Sequence, residues 1–199
     1  LADNNTAVGM DAGTAITTGA GNTAIGAIAL DAITTTSNNT AVGHEALTNA
    51  SGGSGNTALG KGTMTATVTG SSNVAVGYTA LAANTDASNS VAVGVGALVV
   101  NSTGASNTGV GQGALGANTT ASFNTALGRG ALDAVTTNSN NVAVGYNALT
   151  ASTAEGNTAV GYESAVTNTT GYRNVSMGKE SLKDNTTGNQ NVAIGNNAL

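Results

Sequence analysis

The stretch Asn-Thr-Ala-Val-Gly at residues 5–9 decides the fold, because close variants of it recur along the whole chain. Eleven further copies follow at intervals of 17 residues, except for one interval of 16 between Asn141 and Asn157. Repetition at a short, fixed period is the signature of solenoid proteins, in which each unit stacks on the next. The sequence therefore predicts one repeat array over residues 1–199, with eleven full coils and partial ends. Since the chain begins and ends inside a repeat, we interpret it as a segment of a longer fibrous protein.

Each repeat is numbered here from its Asn as position 1. Position 4 is always aliphatic or Met, position 5 is always Gly, position 3 is mostly Ala, and position 9 is mostly Leu. The alternation over positions 1 to 4 predicts a short strand with positions 2 and 4 facing a core. Gly at position 5 indicates a tight corner, a positive φ or a close backbone approach, and Leu at position 9 adds a second core residue. The structural residues of the repeat are Asn5, Gly9, Gly26, Gly43, Gly60, Gly77, Gly94, Gly111, Gly128, Gly145, Gly161, Gly178 and Gly195.

A unit of 17 residues is too short for two helices and a turn, but it fits one coil of an all-β parallel solenoid. Stacked coils lie ~4.8 Å apart, so each residue type forms a column and the array forms a rod roughly 50–60 Å long. A column of Asn at position 1 can then form ladders between amide groups along the axis. A linear array of this kind offers no cleft, so function is expected to reside in an extended surface or in length itself.

Small side chains also form columns, at positions 3 and 8. We interpret these Ala columns as a self-association face, because small residues in register allow a second chain to pack closely along the rod. The alternative is that a thin coil simply has no room for anything larger at these positions. The core of a single chain is thin, which favours an oligomer.

The sequence Asn-Ser-Val-Ala-Val-Gly at residues 89–94 resembles the head repeat of YadA-type trimeric autotransporter adhesins. The commoner form NTAVGxxAL, as at residues 39–47, is similar to repeats in the tail-fibre or adhesin-like proteins of phages and algal viruses. The resemblance covers essentially the whole chain. It implies a left-handed β-roll assembled as a homotrimer and displayed outside the cell or on a virion. The 17-residue unit is longer than the common YadA head coil, so a loop is expected to project from each coil.

The composition excludes several classes of protein. The chain has 5 Lys and Arg residues, 10 Asp and Glu residues, one His and no Cys. Such sparse positive charge argues against nucleic-acid binding, and no stretch approaches the ~18 apolar residues that a membrane helix requires. A lone His and scattered carboxylates leave no catalytic or metal-binding constellation. We therefore expect no enzymatic activity, no metal and no cofactor.

Position 6 varies most within the otherwise strict repeat, which predicts that it is exposed. Candidate surface-contact residues in this column are Tyr78, Tyr146, Tyr162, His44, Lys61 and Arg129. Tyr146 and Tyr162 fall on adjacent coils and are expected to form an aromatic step suited to a sugar or a protein. The alternative is that these tyrosines have no binding role and only cover the corner at the position 5 Gly.

Together these features predict a non-enzymatic, extracellular shaft that presents, or contributes to, receptor binding. The favoured assignment is a phage or virus tail fibre, with a homotrimer as its assembly and a host receptor or glycan as its partner. The alternative assignment is the head of a bacterial trimeric adhesin, displayed on the bacterial surface. A monomeric solenoid that binds ice or glycans through its Thr-rich columns is a more distant alternative.

Overall fold

The chain folds as a parallel β-solenoid, with one short strand in each coil. The computed structural model describes residues 3–66 and 68–199, so residues 1, 2 and 67 of the expected array lie outside the described part. All strands belong to one twelve-stranded parallel sheet, ordered as in the sequence and paired in register. The strands are β1 Thr6–Val8, β2 Thr23–Ile25, β3 Thr40–Val42, β4 Thr57–Leu59, β5 Val74–Val76, β6 Val91–Val93, β7 Thr108–Val110, β8 Thr125–Leu127, β9 Val142–Val144, β10 Thr158–Val160, β11 Val175–Met177 and β12 Val192–Ile194.

The predicted orientation of these strands is wrong. Position 3 faces the interior, as Ala92 does, while positions 2 and 4 face outward. The interior beside the strand is narrow: a Cβ on Gly109, at position 3, would lie 3.3 Å from Leu98 Cγ and 3.2 Å from the Ala114 carbonyl oxygen. Only small residues fit in this space, so the aliphatic residues of position 4 are turned to the outside.

The Ala columns are likewise not a self-association face. Ala at position 3 and Ala at position 8 are buried inside the coil, for example Ala92 and Ala97 at 0% exposure. The alternative that the coil has no room for larger side chains accounts for both columns. Leu at position 9 is confirmed as the main core residue, with Leu81, Leu98 and Leu115 fully buried.

Gly at position 5 forms the corner that follows each strand. Gly94 has a φ of +134°, and a Cβ on it would lie 2.6 Å from the carbonyl carbon and oxygen of Gly111 in the next coil. The corner thus combines a positive φ with a close backbone approach, both of which only Gly permits. The Leu residues of position 9 also adopt a left-handed conformation, with Leu98 at φ +51°, which the sequence pattern did not indicate.

Positions 10 to 17 form a hydrogen-bonded wall instead of the projecting loop expected from the length of the unit. Position 12 points inward as a third interior column, and Ile33, Asn118 and Val135 are fully buried there. Backbone bonds join this wall from coil to coil, as where the Thr119 N–H donates to the Thr136 carbonyl oxygen at 3.0 Å.

The Asn column at position 1 closes each coil. The Asn56 N–H donates to Asn39 Oδ1 at 2.9 Å, and Asn56 Nδ2 donates to the carbonyl oxygen of Gly70 within its own coil at 2.9 Å. Bonds between two amide side chains, which were expected along the column, occur in some coils, as from Asn73 Nδ2 to Asn56 Oδ1 at 3.1 Å. The ladder is therefore mainly one of side chain to backbone.

Candidate surface contact sites

A continuous apolar surface of the rod is formed by the position 4 column, which we call the aliphatic stripe. It consists of Val8, Ile25, Val42, Leu59, Val76, Val93, Val110, Leu127, Val144, Val160, Met177 and Ile194. Val8 is 58% exposed and Leu127 is 47% exposed, while the Val residues in the middle coils are partly exposed. With a coil spacing of ~4.8 Å, the stripe extends for roughly 50 Å along one side of the rod. Contiguous apolar surface of this extent marks an interaction site.

The sequence pattern did not identify the aliphatic stripe, because a strictly apolar position was read as core. The signal that points to it is the neighbouring position 3, which never exceeds Ala or Ser in size. If the large side chains faced inward, the small ones would be outside, where nothing restricts their size. The restriction at position 3 is what indicates its burial.

A second feature is a ladder of polar and aromatic side chains in the position 6 column. Tyr146 and Tyr162 are stacked, with ring centroids 5.3 Å apart and planes inclined by 13°. Arg129 lies over the outer face of this pair, 5.7 Å from the centre of the Tyr146 ring, and Lys179 Nζ lies 5.9 Å from the centre of the Tyr162 ring. Arg129 also donates hydrogen bonds to Gln112 Oε1 at 3.1 Å and to the Tyr146 hydroxyl at 3.2 Å.

The predicted aromatic step therefore exists, but its ring faces already have partners. Each tyrosine covers one face of the other, and a cationic side chain approaches the far side of each ring. The Glu163 carboxylate, which hydrogen-bonds the Tyr162 hydroxyl, raises the pKa of that phenol. This ladder presents ring edges and hydroxyls to a partner, so a sugar ring has no free aromatic face there on which to stack.

The remaining candidates at position 6 are also exposed but are more isolated. His44, Lys61 and Tyr78 lie in the same column on three consecutive coils. His44 Nδ1 is 3.4 Å from the Glu45 carboxylate, and both side chains are close to half-exposed. The exposure predicted for position 6 is confirmed in these residues.

The Thr-rich columns bear on the ice-binding alternative. At position 13, threonine hydroxyls donate to backbone carbonyl oxygens of the next coil, as Thr119 Oγ1 does to the Thr136 oxygen at 3.1 Å. Thr169 Oγ1 does the same to the Thr186 oxygen at 2.9 Å. These hydroxyl protons are used within the wall, and the column does not present a regular array of free donors.

Metal-binding clusters and membrane-crossing helices are both absent from the described residues. In residues 3–66 and 68–199, no group of three or more His, Cys, Asp or Glu side chains is placed to hold a metal ion. The same residues contain no helix with the length and apolar character needed to cross a membrane.

Comparison with known proteins adds no family. No protein-family model, no curated protein and no solved structure matches the chain.

Proposed function

We propose that this chain is a segment of an extracellular fibre, a non-enzymatic shaft that assembles as a homotrimer and presents or contributes to receptor binding. The observation that carries the proposal is the aliphatic stripe. Twelve coils each place an aliphatic or Met side chain on the same outer side of the rod, partly or fully exposed to solvent.

Burial of the stripe against other copies of the chain accounts for its strict apolar character. Each fully buried Val or Leu contributes about 1.5–3 kcal/mol relative to an exposed one, so even partial burial along the stripe outweighs the entropic cost of assembly. A straight, in-register column suits a copy of itself better than an unrelated globular partner, because both surfaces repeat with the same spacing. The proposed contact face is thus the position 4 column, with the outward side chains of position 2 beside it.

The resemblance to YadA-type heads and to tail-fibre repeats supports three chains in preference to two. A phage or virus tail fibre remains the favoured setting because the NTAVGxxAL form dominates. Antibody labelling of purified virions and of bacterial cells would separate this setting from the bacterial adhesin head, since each places the chain on a different surface.

The test of assembly is the solution mass of the chain by light scattering after size exclusion. We expect a mass about three times 18.9 kDa. The variant Val76→Lys, Val93→Lys, Val110→Lys places three charges in the stripe and is expected to yield folded monomers, because lysine ammonium groups resist desolvation.

The matched control places three lysines on the same three coils, but in the position 6 column: Tyr78→Lys, Val95→Lys, Gln112→Lys. These side chains are exposed, so the control is expected to keep the mass of the trimer. A monomeric wild-type chain, or equal behaviour of the two triple variants, would contradict the proposed assembly.

A further inference from the structure

We propose that the side of the rod carries a binding site for a neutral saccharide, in a notch that forms where residues 141–156 make a coil one residue shorter than the others. The inference rests on the proposed fibre function for its biological sense, and it names a ligand class and a lateral site for that fibre. We call this site the short-coil notch; it is lined by Asn138, Thr153, Ala154, Glu155, Thr170, Tyr172 and Arg173.

The hydrogen bonds locate the missing residue. The Thr153 N–H donates to the Thr169 carbonyl oxygen at 2.8 Å, which is the position 13 bond. Asn141 Nδ2 donates to the Ala154 carbonyl oxygen at 2.9 Å, which is the bond that other coils make to position 15. Positions 13 and 15 are therefore consecutive in this coil, and position 14 has no residue.

The wall has a recess at the short coil. Position 14 is occupied by Thr137 in the coil before and by Thr170 in the coil after, and Thr170 lines the recess. The cavity has a volume of about 490 Å³. That volume falls within the range of roughly 300–1,000 Å³ found for small-molecule sites.

Two regular patterns, the position 13 backbone bond and the position 16 serine column, are interrupted at the short coil. The position 13 bond that joins Thr119 to Thr136 is not continued from Thr136 to Thr153 among the described residues. At position 16, the Ser122 N–H donates to Ser139 Oγ at 3.0 Å, and there the serine column ends. Glu155 and Tyr172 occupy position 16 in the next two coils. The small serine side chain is thus replaced at position 16 by two larger ones, and the Tyr172 N–H donates to Asn189 Oδ1 at 3.0 Å.

The side chains of the notch match the chemistry of a sugar. Tyr172 is 39% exposed, and the Arg173 guanidinium lies over one face of its ring, 5.8 Å from the ring centre, so the opposite face is the aromatic surface offered to the C–H face of a pyranose. Unlike Tyr146 and Tyr162, Tyr172 is not stacked on a second aromatic ring.

The polar groups of the notch are available to a ligand. In the described part of the chain, neither the Glu155 carboxylate nor the Arg173 guanidinium forms an ion pair or a side-chain hydrogen bond. A carboxylate accepts from, and a guanidinium donates to, pairs of vicinal hydroxyls. Their opposite charges cancel within the notch, which favours a neutral sugar over a charged one. The Thr170 hydroxyl and the Asn138 amide add further polar partners at the rim, whereas the Thr153 hydroxyl donates to the Thr169 carbonyl oxygen at 3.1 Å and can only accept.

The test is binding of the intact chain to an array of neutral oligosaccharides built from glucose, galactose, mannose and N-acetylhexosamines, with saturation-transfer NMR on any sugar that binds. Insertion of a Thr between Thr153 and Ala154 restores the 17-residue unit and fills the notch. We expect this insertion and Tyr172→Ala each to weaken binding at least tenfold. Tyr162→Ala, which removes an exposed tyrosine from another column, is expected to keep binding within twofold.

A second control is deletion of Thr120, at position 14 of the coil formed by residues 107–123. It opens a comparable gap without Glu155, Tyr172 or Arg173 beside it, so it is expected to add no new sugar site. Thermal unfolding and solution mass of every variant show whether it is folded and how it is assembled.

The proposal is overturned if no neutral sugar binds, if only acidic sugars bind, or if the insertion leaves binding unchanged. These results are separable from the fibre proposal. A trimer that binds no sugar overturns the notch and leaves the fibre, whereas a monomer that binds sugar through Tyr172 overturns the trimer and leaves the notch.

Discussion

The inward and outward columns of this solenoid differ in what they tolerate, and the difference runs against the usual rule for a half-buried strand. On the inner side of each strand, position 3 admits only Ala, Gly or Ser. On the outer side, position 4 is always aliphatic or Met, although it is partly or fully exposed in the single chain. The inner restriction is one of space, set by the coil itself. The outer restriction is one of polarity, and the proposed trimer supplies its cause.

The largest expected effect comes from Gly94→Ala, which adds one methyl group to a corner. The Cβ would lie 2.6 Å from Gly111 backbone atoms, at a φ of +134° that L-residues avoid. Since neither backbone can shift without breaking the sheet register, we expect a loss of about 4 kcal/mol or more in the free energy of unfolding. Urea denaturation followed by circular dichroism measures it.

The matched control is Gly96→Ala, two residues away. Gly96 has a positive φ of 65°, but a Cβ there would meet no atom within 4 Å. Only the conformational cost of a left-handed Ala remains, about 1 kcal/mol. Equal losses in the two variants would show that the close approach of neighbouring coils does not restrict position 5.

A second pair of variants compares the two sides of one strand directly. Ala92→Leu forces three more carbon atoms into the narrow interior, and we expect it to cost about 2–3 kcal/mol or to prevent folding. Val93→Leu adds one carbon atom on the outer side, where the contact between chains is less confined than the coil interior, and is expected to cost less than Ala92→Leu by about 1 kcal/mol or more. Denaturation of both variants at one protein concentration gives the comparison. The opposite order would restore the interpretation that position 4 forms the core.

The sequence was sufficient for the architecture but not for the direction of the strands. Period, strand location, register, the Gly corner and the Leu column all follow from repetition, since identical units stack with like residues in contact. Alternation has a period of two, however, and Thr-Ala-Val is equally regular with Ala inside or Val inside. The choice depends on the width of the interior, which is set by Leu98 and the Ala114 carbonyl across the coil and has no local sequence signal.

The candidate sites also have some features that the sequence could predict and others that it could not. Exposure of position 6 and adjacency of Tyr146 and Tyr162 could be predicted because they depend only on coil number. The positions of Arg129 and Lys179 over the two rings depend on side-chain rotamers, so they could not be predicted from the sequence. The short coil is visible as a 16-residue interval, but hydrogen bonds are needed to place the missing residue at position 14.

Position 12 offers a test within the interior, where an Asn column is interrupted by Val135. Asn118 Nδ2 donates to Asn101 Oδ1 at 2.7 Å, but Asn118 Oδ1 is buried without a hydrogen bond in the described part of the chain. Val135→Asn places an amide donor beneath this oxygen, and we expect a gain of about 1 kcal/mol in stability. The comparison variant Val135→Ala removes apolar volume without adding a donor, and it should lose about 1–2 kcal/mol. A loss in Val135→Asn as large as in Val135→Ala would show that Asn118 Oδ1 needs no partner.

The smallest expected effect on stability comes from the charge of Asp133, at position 10 of its coil. Partial burial raises the pKa of the Asp133 carboxyl above 3.8, while a hydrogen bond from the Gly116 backbone lowers it by less. The folded chain therefore binds the proton more tightly than the unfolded chain. Stability falls as the pH rises from the ordinary pKa through the raised one, and the loss remains at neutral pH. Asp133→Asn removes this loss of stability, so the variant should be more stable than wild type at pH 7 and equally stable at pH 3.

Solvent screening of a partly exposed carboxylate limits the difference in stability to a few tenths of a kcal/mol. Melting temperatures at both pH values measure it, and Asp31→Asn, at position 10 of another coil, reports the effect of losing one negative charge. A difference that persists at pH 3 would assign the gain to amide packing and not to the proton.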